Sequence, residues 1–164
     1  GFVEGFVNNK LLLVEKCSTD HLVAVMPKNH KLATKKSVSV KDLAKEPFIF
    51  REHGSGTREV ISDYLQKHGA SEEEMNSTMV LGSPEAVKGA IEAGMGVSIA
   101  SCVTIYKELQ LGTLDAVRSQ DSLERPFSIV RQRHKFKIRL MEELLGYSLE
   151  YCRTHQQFLK DFLP

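Results

Sequence analysis

Phe50-Arg51-Glu52-His53-Gly54-Ser55-Gly56-Thr57-Arg58-Glu59 is the stretch from which the fold is read. An apolar run, Pro47-Phe48-Ile49, precedes it, and apolar residues at helical spacing, Val60, Ile61, Tyr64 and Leu65, follow it. The pattern predicts a strand that enters a short Gly-rich, hydroxyl-bearing turn and leaves as a helix. The first N–H groups of a helix have no intrahelical acceptor and sit at the positive end of its dipole, so such a turn can seat a small anion. Gly54 and Gly56 let the backbone come close to a ligand. The hydroxyls of Ser55 and Thr57 can donate hydrogen bonds, and Arg51 and Arg58 can add charge-assisted ones. The same residues also suit a plain helix cap at Ser55 or Gly56, with Glu59 as part of a capping box. The turn alone leaves both readings open.

Working outward, strand-like and helix-like segments alternate. Residues 11–15 and 22–25 read as strands, and Pro27 ends the second because it cannot donate to a ladder. Ser39 caps a helical turn before Lys41-Asp42-Leu43, and residues 48–50 form the next strand. Gly69 terminates the helix opened at the turn. Residues 78–81 form a strand, and Ser83-Pro84-Glu85 starts a helix whose inner face is Ala86, Val87, Ala90 and Ile91. Gly94-Met95-Gly96 reads as the end of that helix followed by a buried strand, 96–101, rather than as a phosphate loop. A helix over 103–109 and strands at 114–117 and 127–130 come next. Phe136, Leu140, Leu144, Tyr147, Tyr151 and Phe158 mark a long closing helix, with this stripe expected in the core. The repeated β–α–β order predicts an α/β protein with largely parallel strand pairing.

The chain has 164 residues, enough for one domain or two small lobes, with 41% hydrophobic and 26% charged residues. A net charge of +1 leaves no large electrostatic footprint for nucleic acid. The basic residues Arg131, Arg133, His134, Lys135, Lys137 and Arg139 read as a solvated helix start, and Lys28, Lys31, Lys35 and Lys36 as an exposed loop. Cys17, Cys102 and Cys152 are far apart in sequence, with no ligand spacing for zinc, and are expected as reduced, partly buried thiols of a cytoplasmic protein. No metal and no cofactor are expected, and no apolar run is long enough to span a membrane.

Enzyme signatures are missing. There is no GxSxG elbow, HExxH, P-loop lysine or GxGxxG fingerprint. His53, Ser55 and Thr57 are neighbours in one turn, which seldom meets the geometry of a nucleophile and its base. No catalytic residue is assigned. Glu72-Glu73-Glu74 reads as a solvated loop or helix start.

Several stretches in order resemble the effector-binding (substrate-binding) region of LysR-type transcriptional regulators. They are Gly1-Phe2-Val3-Glu4-Gly5, then Leu22-Val23-Ala24-Val25-Met26-Pro27 with His30-Lys31-Leu32-Ala33, then Glu46-Pro47-Phe48-Ile49 and the Gly54-Ser55-Gly56-Thr57-Arg58-Glu59 turn. Leu81-Gly82-Ser83, Ala93-Gly94-Met95-Gly96-Val97 and Arg125-Pro126-Phe127 complete the order. The form of the turn looks closest to the CysL-like branch. The resemblance implies a periplasmic-binding-protein type 2-like two-lobed fold with an effector between the lobes. Residues 27–124 would be a complete second lobe, and 1–25 plus 125–164 a partial first lobe. The opening part of that first lobe, and a DNA-binding winged helix-turn-helix, would lie outside this chain. The implied effector residues are Arg51, Ser55, Gly56, Thr57 and Arg58, with Ser83, Gly96, Val97 and Ser98 beside them and Glu4 and Gly5 facing them. Implied partners are a small, anionic effector, a second copy in a homodimer or tetramer, and DNA only through the absent domain. A different class, the solute-binding protein of an ABC transporter for an oxyanion, carries a similar Arg-x-x-Gly-Ser-Gly-Thr turn and is the alternative.

Overall fold

The computed structural model describes residues 1–133 and 138–160, with side chains as far as Thr154. The expectations for His134, Lys135, Phe136, Lys137 and the Phe158 side chain lie outside the described residues. The described residues form two compact units: 1–20 with 124–133 and 138–160, and His21–Leu123.

In the first unit, β1 (Phe2–Glu4) pairs antiparallel with β7 (Leu123–Gln132), Val3 opposite Ser128. Next to β7 runs β2 (Leu12–Pro27). The two strands expected at 11–15 and 22–25 are one strand of 16 residues. Its polar middle, Lys16 to His21, reads as a break, yet the structure keeps it extended. The Cys17 thiol donates to the Phe127 carbonyl (3.3 Å), Arg131 pairs with Glu15, and Asp20 accepts from Arg125. These cross-strand bonds to β7 replace the apolar pattern as the source of order.

In the second unit the apolar end of β2 is buried on both faces. Leu22, Ala24 and Met26 pack into one cluster with Leu43, Phe48, Phe50, Ile61 and Leu65, whereas Val23 and Val25 pack into another with Ile49, Val87, Ile91 and Ile105. Alternating strand side chains point to opposite faces, so a continuous apolar run serves two cores. Here β2 pairs antiparallel with β5 (Ser98–Ser101) and with β6 (Leu114–Val117). The pairing is parallel between β3 (Phe48–Arg51) and β4 (Ser77–Leu81). The expectation of largely parallel pairing is therefore corrected, because β2 runs against the direction of both its partners in this unit.

Helix starts follow the capping residues. At α1 (Val40–Leu43) the Ser39 side chain accepts from the Asp42 N–H, and Asp42 answers in a capping box. At α3 (Pro84–Glu92) the Ser83 hydroxyl accepts from the Ala86 N–H (3.1 Å), and Pro84 fits the first turn. The left-handed Gly94 (φ 76°) follows its end, with Met95 N–H donating to Ala90 O. Between β5 and β6 lies α4 (Cys102–Leu111), held to α3 by Lys88, whose ammonium reaches Glu108 (2.9 Å).

The helix after the opening turn, α2 (Gly56–Lys67), is anchored by Arg58. Only 8% exposed, its guanidinium lies over the Phe50 ring at 5.1 Å, donates to the Arg51 carbonyl (2.8 Å), and pairs with Glu72 (2.5 Å). Glu72 also accepts from the Ser62 hydroxyl. The acidic run is thus corrected at its first member: Glu72 is the internal partner of a buried arginine, not a solvated charge.

The closing helix, α5 (Arg139–Lys160), turns a different face inward. Leu140, Leu144, Tyr147 and Tyr151 are all exposed, whereas Ser148 is buried and Leu145, Leu149 and Cys152 are half-buried. The expectation that the aromatic stripe forms core is corrected. The inward stripe is the neighbouring set at the same 3- and 4-residue spacing.

Two outcomes follow from this packing. A Cβ on Gly96 (φ 156°) would lie 3.0 Å from the Pro47 carbonyl carbon and closer still to its oxygen. Gly96→Ala should destabilise the protein by about 1–3 kcal/mol or more by overpacking, and an unchanged urea midpoint would count against this close approach. Hydrogen bonds from Arg58 hold the Glu72 carboxyl below its ordinary value, against an opposing effect of burial and with help from Ser62. A depressed carboxylate contributes stability that is fully present above the unfolded value of about 4.3 and is lost as pH falls through the folded value. Glu72→Gln should cost about 1–3 kcal/mol at neutral pH, and urea melts should show the gap to wild type closing below about pH 4.3. A gap unchanged in acid would refute the linkage.

Candidate functional site

The turn before α2 is built by β3. Glu52 N–H donates to the Leu81 carbonyl (3.2 Å), continuing the β3–β4 ladder by one residue, and Ser55 N–H closes a tight turn onto the Glu52 carbonyl (3.2 Å). Gly54 sits at φ 85°, where an L side chain is strained, so the turn requires glycine there. Ser55 is the N-cap, in extended conformation, and its carbonyl accepts the first helical bond from Glu59 N–H (3.1 Å).

The Ser55 side chain makes no capping bond. The cap Ser101 of α4 makes none either, whereas at α1 and α3 Ser39 and Ser83 spend their hydroxyls on the first turn. The cap residue of α2 thus leaves the first-turn N–H groups unmet by its own hydroxyl. Ser55 and Thr57 are each 8% exposed and Gly56 is half-buried. The turn therefore presents backbone donors from a largely buried, rigid setting at the positive end of a three-turn helix.

Charge near the turn is already partly compensated. Arg51 donates from Nε and Nη2 to the two Glu52 carboxylate oxygens (2.7 and 2.8 Å). The hydrogen bond from Arg51 is the first cause of a Glu52 carboxyl held below its ordinary value. The Arg58 side chain points back into the packing described above, onto Phe50 and Glu72. Gly96, Val97 and Ser98 join the same strand edge by bonds to it. Val97 N–H donates to Pro47 O (2.8 Å), Val97 O accepts from Ile49 N–H (2.9 Å), and the buried Ser98 hydroxyl donates to Ile49 O (2.7 Å).

Glu4 and Gly5 belong to the first unit. Glu4 accepts from Arg125 Nη2 (2.5 Å), and Arg125 is 5% exposed and also pairs with Asp20 (2.8 Å). Gly5, buried at φ 122°, donates its N–H to the Pro126 carbonyl (2.9 Å). The partner of Glu4 is thus Arg125, a residue that sequence reasoning matched to the family but gave no part in a site.

Sequence reasoning also missed a surface pocket of about 210 Å³ on the second unit, lined by His21, Val23, Arg118, Ser119, Asp121 and Leu123 among others. Beside it the buried Tyr64 and Ser119 hydroxyls have no hydrogen-bond partner of ordinary geometry. Burial, first, and then the nearby Asp121 charge raise the Tyr64 phenol above its usual range. No motif marks this pocket, because its walls come from strand β2 and the loop before β7. Among the described residues no cluster of His, Cys, Asp and Glu is placed to hold a metal ion, and no helix is long and apolar enough to cross a membrane.

Comparison with known proteins identifies the family. The chain is 38% identical over 113 residues to an HTH-type transcriptional regulator of Methanocaldococcus jannaschii, covering 69% of this chain and 38% of the relative. It is 35% identical over 109 residues to the HTH-type transcriptional regulator CysL of Bacillus subtilis, covering 66% and 36%. The matched segment therefore spans well under half the length of these relatives. Among solved structures, the CcmR regulatory domain of Synechocystis PCC6803, in complex with 2-PG, superposes with a TM-score of 0.82 at 26% identity, covering 92% of this chain and 72% of that one. Residues 1–153 match the LysR substrate binding domain, and this chain belongs to that family.

Proposed function

We propose that this chain is the effector-sensing part of a LysR-type transcriptional regulator of the CysL-like branch, and that it binds a small anionic metabolite at the start of α2. The observation that carries the reading is the serine cap whose hydroxyl does not cap. Ser55 stays available to a ligand beside the first-turn N–H groups of Gly56 and Thr57, while the equivalent serines of α1 and α3 are spent on their own helices. A regulatory domain of similar fold that holds 2-PG supports ligand binding by this architecture. The oxyanion-receptor alternative finds no support among the relatives above, which are transcriptional regulators.

The residues divide by role in this reading. Backbone N–H groups of Gly56 and Thr57 are fixed donors, and the Ser55 and Thr57 hydroxyls set orientation. Arg51 supplies charge through Nη1, which its bidentate bond to Glu52 does not use. Arg58 acts from beneath the turn, and Gly96, Val97 and Ser98 hold β3 in place. Ser83 and the pair Glu4 and Gly5 complete the effector region, with the Arg125 ion pair removing the repulsion that a bare Glu4 would impose on an anion. The two units are the two lobes in this reading, no residue is catalytic, DNA is read by a part of the protein outside this chain, and the regulator works in the cytoplasm as a homodimer or tetramer.

Titration calorimetry with a panel of sulfate, phosphate and small carboxylates tests the site. Thr57→Val and Ser55→Ala should each weaken binding of the responding anion by about 0.5–1.5 kcal/mol. Arg58→Ala should instead lower stability. Full affinity in both hydroxyl variants would remove the turn from the site. Light scattering tests assembly: the chain should exceed its monomer mass of 18.4 kDa at roughly tens of micromolar, an ordinary association range. A lone monomer at that concentration would count against self-association through this region.

A further inference from the structure

Helix α2 is tied down at both ends. It spans 12 residues, so its ends lie about 18 Å apart. The donor-rich turn stands at its start. At the far end, Lys67 Nζ (2.7 Å) and His68 Nε2 (3.1 Å) both meet Oδ2 of Asp121. The His68 ring also meets the Tyr64 ring edge-on, with centroids 4.8 Å apart. Asp121 lies in the loop between β6 and β7. Backbone bonds hold that loop from a second side: Val38 N–H donates to Arg118 O (2.9 Å), and Gln120 N–H donates to Val38 O (3.0 Å). Two residues after Asp121, Leu123 opens β7 and belongs to the same buried cluster as Tyr64 and Leu65 of α2. Two residues further on, Arg125 takes Glu4 and Asp20.

We propose that Asp121 is a positioning residue that carries occupancy of the α2 seat to the start of β7, an inference that rests on the anion seat proposed at residues 55–57. A helix is a stiff element, so a change of setting at its first turn reaches Lys67 and His68 at its last. An anion drawn onto the first-turn N–H groups favours one setting of α2 over others. Asp121 takes that setting up, because one of its oxygens holds both side chains at the helix end. The backbone then delivers it to Leu123, two residues on. The bonds to Val38 fix the earlier part of the loop and leave residues 121–123 as the part that answers to α2. The clasp is open to solvent, with the Lys67 side chain 69% and the Asp121 side chain 32% exposed, so it adds little to global stability. Its role is positional. Removing the Asp121 charge unties the helix end from the loop, while the apolar packing of Leu123 remains.

Hydrogen–deuterium exchange of the folded chain, read by mass spectrometry, tests this with inorganic sulfate and inorganic phosphate as probes, each against chloride at equal ionic strength. In the wild type the anion should slow exchange in peptides covering residues 55–59 and, with it, change exchange in peptides covering 119–125. Asp121→Asn keeps the shape and removes the charge; it should retain the slowing at 55–59 and lose the change at 119–125. Asp121→Glu should restore that change, and Lys67→Gln combined with His68→Gln should repeat the loss from the helix side. A role in stability alone would speed exchange at 119–125 equally with and without anion, leaving the anion-dependent difference intact. Slowing at 55–59 with no change at 119–125 in the wild type, or an equal change in Asp121→Asn, would overturn the clasp and leave the seat standing. No slowing at 55–59 with either probe would overturn the seat, and this inference with it. Circular dichroism checks the folding of each variant, and the wild-type comparison still decides where one fails to fold.

Discussion

The placement of the candidate site depends on one buried guanidinium. Arg58 lies in the first turn of α2, yet its side chain is turned inward onto the ring of Phe50, the carbonyl of Arg51 and the carboxylate of Glu72. A buried arginine is tolerable only when its charge is paired and its donors are met. Meeting those demands ties three segments together: the end of β3, the start of α2 and the acidic turn after α2. Because the same residue sits at the helix start and is bonded to the strand that leads into it, the turn between them has little freedom. The proposed anion seat needs donors that do not reorganise, and this ion pair restrains the turn in that way.

A second constraint acts on the same strand from its other edge. The backbone around Gly96 approaches Pro47 so closely that no side chain fits, and Val97 and Ser98 bond to the residues on either side of Phe48. Glycine is needed there for space as much as for conformation. The first unit shows a comparable economy, with Arg125 holding Glu4 from β1 and Asp20 from β2 at once. In the first unit that arginine joins strands far apart in sequence, and in the second Arg58 joins the end of β3, the start of α2 and the turn that follows it. Arginine suits that task because its planar fork can satisfy two carboxylates without surrendering its charge.

Where sequence reasoning and structure part, the reason is the same in each case. The polar segment from Lys16 to His21 carries no strand pattern, yet it is extended because Cys17, Asp20 and Glu15 meet partners on β7, more than a hundred residues away. Glu72 looks like one of three surface acids, but it alone lies within reach of Arg58. On α5, two neighbouring stripes of apolar residues satisfy the helical period equally well, and periodicity cannot say which one faces the sheet. The inward stripe is the one with small and medium side chains, Ser148 and Cys152 among them, while the larger aromatic residues stay in solvent.

The amino-acid sequence by itself determined the alternation of strands and helices in the second unit, the serine caps of α1 and α3, the strand end at Pro27, the glycine after α3 and the family. These are local signals: a capping hydroxyl, a missing N–H or a left-handed glycine acts on its own turn. It also marked Ser55, Gly56 and Thr57 as a turn rich in donors, without separating cap from binding seat. Only the tertiary structure decided that the Ser55 hydroxyl does not cap, that Arg58 faces inward while Arg51 lies along Glu52, and that Glu4 belongs to Arg125. Those facts are choices of partner for a charge or a polar atom. Burial makes such a choice binding, since an unmet charge is costly away from water, and which partners meet is set by long-range packing that no local pattern encodes.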